Sequence, residues 1–189
     1  MNTVAAINPT GAEIHSPETM PHSIEAEQQL LGAILSNNDV YDRADSLIKP
    51  EHFFDPVHAH IYQVASARIS QNSIASPVTL NTFLKDHPGL NELGGANYLA
   101  KLAASAVAGF AVQDYAQLIY DLAIRRQLIL LGKDISERAQ KMKIDQEPRE
   151  QIIEAEQALY NLGETGKTES GFKSFLKAAT EAISIANAA

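Results

Sequence analysis

The stretch with the most suggestive chemistry is Gly163-Glu164-Thr165-Gly166-Lys167-Thr168, whose glycine, lysine and threonine could wrap a phosphate. A phosphate-binding loop needs a further Gly five positions before the Gly-Lys pair, and a strand leading into it. That position holds Asn161, and a helical pattern precedes it, so the stretch reads as a flexible linker. Three histidines, His52, His58 and His60, fall close together in sequence. Residues two apart on a helix diverge, so His58 and His60 cannot share a metal, and core or surface histidines are the simpler reading. Glu25 and Glu27 have the same two-residue spacing and read as charges favoured at a helix N-terminus. Arg125 and Arg126, followed by Lys133, Arg138, Lys141 and Lys143, could contact phosphates, but Asp121, Asp134 and Glu137 interleave them as on a solvated helix face. No Ser/His/Asp set is tied together by local spacing. No active site, metal or cofactor is expected in this chain.

Composition narrows the classes further. The 189 residues contain no Cys and no Trp, which excludes disulfides and cysteine-ligated zinc. Hydrophobic residues make up 45% and charged residues 20%, ordinary for a soluble globular protein. No apolar run reaches the roughly 18 residues of a membrane span, and no secretory signal opens the chain, so a cytoplasmic location is expected. The net charge of −8 argues against this chain alone gripping a nucleic-acid backbone.

The elements that must position these residues are helical throughout: β-branched alternating runs are absent, and the fold class is all-α. The organising element is a helical hairpin over 109–162. Its first arm, Ala111 to Lys143, contains no Pro, and Val112, Tyr115, Ala116, Ile119, Leu122, Ala123, Ile129 and Leu130 recur at helical spacing. Roughly 30 helical residues make a rod of about 50 Å, longer than a small domain, so part of it should project. The second arm starts at Pro148 and runs through Ile152, Ile153, Ala155 and Leu159 to Gly163 as its C′ residue. Tyr115, Ile119, Leu122, Ile129, Ile152 and Leu159 are the expected association face.

Residues 1–20 lack periodicity and read as a disordered arm. Residues 21–108 read as a compact bundle of short helices. The first is capped by Ser23 and carries Leu30, Leu31, Ile34 and Leu35, with an interior Gly32 that suggests close approach of another helix. Asp39 is the expected cap of the second helix, Asp55-Pro56 and Ser76-Pro77 open two more, and Gly94-Gly95 opens another. Phe53 and Phe54 should both plug the core, and His87-Pro88-Gly89 reads as a break. After a linker over 163–170, residues 171–189 form a separate amphipathic helix with Phe172, Phe175, Leu176, Ala179 and Ile183 on one stripe, expected to dock on another surface.

Pro21-His22-Ser23-Ile24-Glu25-Ala26-Glu27-Gln28 followed by Leu31-Gly32 resembles the opening signature of the DnaB-type bacterial replicative helicases. The similarity continues through Phe53-Phe54 with His58 and Ile61, Gly94-Gly95 with Tyr98-Leu99, Tyr115-Ala116 with Ile119, and Arg125-Arg126. It covers 21–162 as the family's N-terminal domain, and 171–189 looks like its linker helix. The resemblance implies a collar region of a six-subunit ring, a dimer or a trimer of dimers, with hairpins packing between subunits. It implies primase and a helicase loader as partners, and the ATPase domain of the adjacent subunit as the dock for the linker helix. The ATPase domain, with ATP, Mg2+ and single-stranded DNA, would belong to the longer parent protein. Two alternatives stay open at this stage: a free-standing adaptor or loader-like protein that binds a helicase, and an enzyme built from distant residues such as His58 with Asp55.

Overall fold

A computed structural model describes residues 20–106, 111–141 and 147–165. The expected disordered arm, but for its last residue, and the docking stripe Phe172, Phe175, Leu176, Ala179 and Ile183 lie outside the described residues. Eight α-helices and no strands are present among the described residues, in agreement with the all-α reading: α1 (Ile24–Ser36), α2 (Tyr41–Asp45), α3 (Pro56–Ser70), α4 (Pro77–Leu84), α5 (Pro88–Glu92), α6 (Ala96–Ala104), α7 (Val112–Gln140) and α8 (Pro148–Thr165). Short 3-10 turns at Asn38–Val40 and Pro50–His52 flank α2.

Local chemistry sets most helix starts. The Ser23 hydroxyl accepts from the Ala26 N–H, the Asp55 carboxylate from Val57, and the Ser76 hydroxyl from Thr79. These contacts satisfy N–H groups that have no partner within the helix. Two starts depart from expectation. Asn37, not Asp39, caps the turn into α2, its side chain accepting from the Asp39 N–H. His87-Pro88-Gly89 does not merely break the chain: the His87 Nδ1 accepts from the Leu90 N–H and starts the short α5. The end of α3 is set at Asn72, whose φ of 54° is tolerated by asparagine better than by most residues.

The centre of the core is α1, fully buried along Leu30, Leu31 and Ile34, with α3, α6 and the first half of α7 packed around it. Gly32 lets α6 come that close. A Cβ added there would stand 2.2 Å from the Leu102 carbonyl oxygen, so the close approach expected from the sequence is made by the backbone of α6. Phe53 is buried as expected, but Phe54 is only partly covered and lies against His22, ring centroids 4.1 Å apart.

The long helix is divided between two environments. Val112, Ala116, Ile119, Tyr120 and Ala123 are buried with the bundle, and beyond Ala123 no described residue of α7 is buried. The boundary expected at 109 therefore runs through one packed body, because the periodicity of α7 reports a buried face without saying what buries it. The distal half pairs with α8 to form the hairpin. α8 continues through Gly163 to Thr165, so Gly163 is an interior helical residue and not a C′ cap.

Candidate functional site: a buried polar centre and an exposed hairpin

Glu27 occupies the same stripe of α1 as Leu30, Leu31 and Ile34, and is 1% exposed. Its carboxylate accepts from the backbone N–H groups of Phe54 at 2.6 Å and Asp55 at 3.3 Å. Nδ1 of His58, on α3 and fully buried, lies 2.8 Å from Oε2 of Glu27. A carboxylate only accepts, which assigns the proton to Nδ1. Nε2 then accepts from the Tyr98 hydroxyl at 2.6 Å, and the phenol oxygen accepts from the Gln28 amide at 3.1 Å. Every member of this chain of donors is satisfied, which is the condition under which a buried polar network stabilises.

Carboxylate, imidazole and hydroxyl in this order also occur where a nucleophilic hydroxyl is activated. Here burial pushes the Tyr98 phenol up, so its hydroxyl holds its proton more firmly, and the carboxylate is already engaged by two backbone amides. The geometry fixes α1, α3 and α6 to one another. The reading of Glu27 as a helix-terminal charge is corrected accordingly: Glu25 is exposed in that role, and Glu27 is a core residue. Of the expected histidine cluster, His58 belongs to this network, His52 is buried elsewhere, and His60 stacks on His87 at 4.9 Å. No group of three or more potential metal ligands occurs among the described residues.

A second polar contact ties down the point where α7 leaves the core. Arg126 donates from Nη1 to the Pro21 carbonyl at 2.8 Å and from Nη2 to the His52 carbonyl at 2.6 Å. Its guanidinium also lies 5.6 Å from the Phe54 ring centroid. Burial lowers the Arg126 pKa and the Glu27 carboxylate opposes that shift. Arg126 is thus a clasp joining α7, the entry to α1 and the turn before α3, whereas a solvated face was expected for the whole basic run. Arg126→Ala should lose about 2 kcal/mol of stability, the scale of a hydrogen bond made by a charged group. Arg126→Lys should recover little of it, since one ammonium does not reproduce a planar fork reaching two carbonyls. Urea unfolding of both variants checks this.

His52 sits beneath the same clasp. Its Nδ1 accepts from the Lys49 N–H at 3.1 Å, and its ring meets Tyr120 edge-on at 5.2 Å. Burial lowers its pKa; the charges on Lys49 and Arg126 act in the same direction and Glu51 opposes them. A histidine with a depressed folded-state pKa binds its proton more readily when unfolded. Stability at neutral pH should therefore fall as pH drops below about 6.5, the ordinary histidine value, towards the folded-state value. Urea midpoints measured from pH 7.5 down to pH 5 should show this decline, and His52→Gln should flatten it.

The hairpin is the exposed part of the molecule. Leu131, Ile135, Ala139, Ile152, Ala155 and Leu159 line a groove of about 410 Å³ between α7 and α8. Arg138 crosses it, 2.9 Å from Asp134 and 3.1 Å from Glu154. Among the expected association residues, Ile152 is 59% and Leu159 is 48% exposed, while Ile129 and Leu122 are partly covered. Tyr115 packs against the core, and Ile119 is 2% exposed. Ile119 is therefore a packing residue of the chain's own core and is withdrawn from the association face. Leu128, Leu130, Ile153 and Tyr160 add exposed apolar surface to the hairpin. A second exposed apolar group, Ile74, Val78 and Phe83, lies on the bundle, with Arg68 5.0 Å from the Phe83 ring centroid. No helix among the described residues is long and apolar enough to cross a membrane.

These features define a helical head with a structural polar centre and a hairpin that offers apolar surface. The pattern of the DnaB-like helicase N-terminal domain matches residues 19–121, and the chain belongs to that family. It is 38% identical over 161 residues to the replicative DNA helicase DnaB of Rickettsia felis, covering 85% of this chain and 33% of that protein. It is 28% identical over 150 residues to the replicative DNA helicase DnaB of Pasteurella multocida, covering 79% of this chain and 32% of that protein. The chain thus spans about a third of the length of the curated relatives it matches. Its fold is similar to the crystal structure of the N-terminal domain of DnaB helicase from Mycobacterium tuberculosis, with a TM-score of 0.68 at 23% identity over 75% of this chain and 98% of that one. It is also similar to a DnaB-like replicative helicase described with its interactions with primase, with a TM-score of 0.62 at 23% identity over 88% of this chain and 37% of that one.

Proposed function

We propose that this chain is the collar module of a hexameric replicative DNA helicase, joining subunits through its hairpin and recruiting primase or a helicase loader. The observation that carries this reading is the hairpin itself: Ile152, Ile153, Leu159 and Tyr160 stay exposed on a helix pair that stands beyond the core. Contiguous exposed apolar surface of this kind marks interaction sites. Membership in the helicase N-terminal domain family supports the assignment to replication. A similar fold in a helicase described with its interactions with primase supports primase as a partner.

In this reading the chain itself is not catalytic. Unwinding with ATP and Mg2+, and the grip on single-stranded DNA, reside in the remainder of the longer parent, in keeping with the acidic balance of this part. Copies assemble as dimers or as a trimer of dimers in the cytoplasm at the nucleoid. Phe172, Phe175, Leu176, Ala179 and Ile183 dock on the ATPase domain of the adjacent subunit. The test is a fluorescence-anisotropy titration of the labelled chain with primase from the same cell. Saturable binding that weakens about tenfold or more in an Ile152→Asp/Leu159→Asp variant of unchanged helicity is the expected result. Absence of binding by the unaltered chain, or equal binding by the variant, would overturn the hairpin's role in recruitment.

A further inference from the structure

Two reciprocal hydrogen bonds close the 3-10 turn Pro50–His52 that precedes α3. The His52 N–H donates to the Lys49 carbonyl at 3.0 Å, and the Lys49 N–H donates back to the His52 Nδ1 at 3.1 Å. Nδ1 therefore offers its lone pair, and the one proton of the neutral ring sits on Nε2. A second proton can enter only at Nδ1. There it would set two donors, the imidazolium N–H and the Lys49 N–H, against each other. The amide would lose its acceptor beside a residue that is only 8% exposed.

The same residue is where the head holds α7. The His52 carbonyl accepts from Arg126 Nη2 at 2.6 Å, and the ring meets Tyr120 edge-on. Arg126 grips just past Ala123, beyond which no described residue of α7 is buried. The charges around the ring come from each element packed there. Lys49 on the turn and Arg126 on α7 oppose a proton, and Glu51 on the turn favours one. Glu27 on α1 acts on Arg126, Asp121 on α7 acts on Tyr120, and His22 ahead of α1 faces Phe54 instead. We infer that His52 is an acid-operated latch: a proton on Nδ1 opens the turn, withdraws the carbonyl that Arg126 grips, and frees the distal half of α7 from the head. Burial, which lowers the His52 pKa, keeps the latch shut at neutral pH. The exposed apolar surface of the hairpin rides on that half of α7, so the latch sets how rigidly the surface is presented. It lies within one chain and does not depend on what the hairpin binds.

Nuclear magnetic resonance of the nitrogen-15-labelled chain, followed from pH 7.5 down to pH 5, tests it. The Lys49 amide and the Arg126 guanidinium resonances should move with the same midpoint as the His52 ring, below about 6.5. Over that range the backbone order parameters from Gln127 to Ile135 should drop from about 0.85 to below about 0.6, while those of α1 hold. In His52→Gln, whose amide oxygen can still accept from Lys49 but takes up no proton here, both responses should vanish. Arg126→Gln should show the low order parameters already at pH 7.5, with no further fall. The match of midpoints in the unaltered chain decides the question even where a variant does not fold. A His52 titration that leaves Arg126 and the order parameters unmoved would overturn the inference. So would an Arg126 response that follows another histidine or persists in His52→Gln, or loss of all folded resonances before His52 takes up its proton.

Discussion

Glu27→Ala should cost about 3–5 kcal/mol of unfolding free energy, since it leaves several hydrogen-bond donors in the core without an acceptor at about 1–3 kcal/mol each. The loss has a specific origin. Two backbone N–H groups, of Phe54 and Asp55, and the Nδ1–H of His58 all point at this carboxylate, and water does not reach the site to replace it. Each buried donor left without an acceptor carries its own desolvation penalty. Glu27→Gln should fall between: one oxygen still accepts, but the amide turns an N–H towards other donors. His58→Ala should be damaging alone but add little to Glu27→Ala, since the two act through one network. Urea unfolding of the four chains measures this cycle. A Glu27→Ala loss within experimental error of zero would show that the centre is solvated or rearranged.

Gly32→Ala is the second large effect, expected to cost about 3 kcal/mol, at the upper end for overpacking. The added carbon would stand 2.2 Å from the Leu102 carbonyl oxygen and 3.6 Å from the Ala106 Cα, so the obstacle is backbone and not a movable side chain. α6 must shift away from α1, and Tyr98 on α6 would be drawn off His58 and Gln28. Thermal unfolding of the altered and unaltered chains gives the magnitude.

These two sites differ in how far the chain order announced them. Gly32 interrupts an apolar stripe where only a packing need explains a glycine, so its role was readable. Glu27 and His58 were equally visible in principle. Glu27 falls at i, i+3, i+4 and i+7 with Leu30, Leu31 and Ile34, and His58 falls likewise with Ile61, Tyr62 and Ala65. A titratable residue on a buried stripe is a demand for a partner, but periodicity does not name a partner 31 positions away. Caps at Ser23, Asp55 and Ser76 were legible because they act within one turn. The His87 cap was hidden by the Pro88-Gly89 break signal, and Asn37 by the equally plausible Asp39 two residues on. Ile119 was assigned to the association face for a similar reason: a continuous helical stripe looks alike whether its own domain or another chain covers it.

In the proposed collar, copies of this chain meet at the distal hairpin. Amide hydrogen exchange measured at low and high protein concentration locates such a face directly, because association protects only the segments it covers. Protection is expected to rise with concentration across the distal part of α7, from Arg125 onward, and across α8, while α1, α3 and α6 exchange at unchanged rates. Exchange independent of concentration, or new protection confined to the bundle around Ile74, Val78 and Phe83, would contradict it.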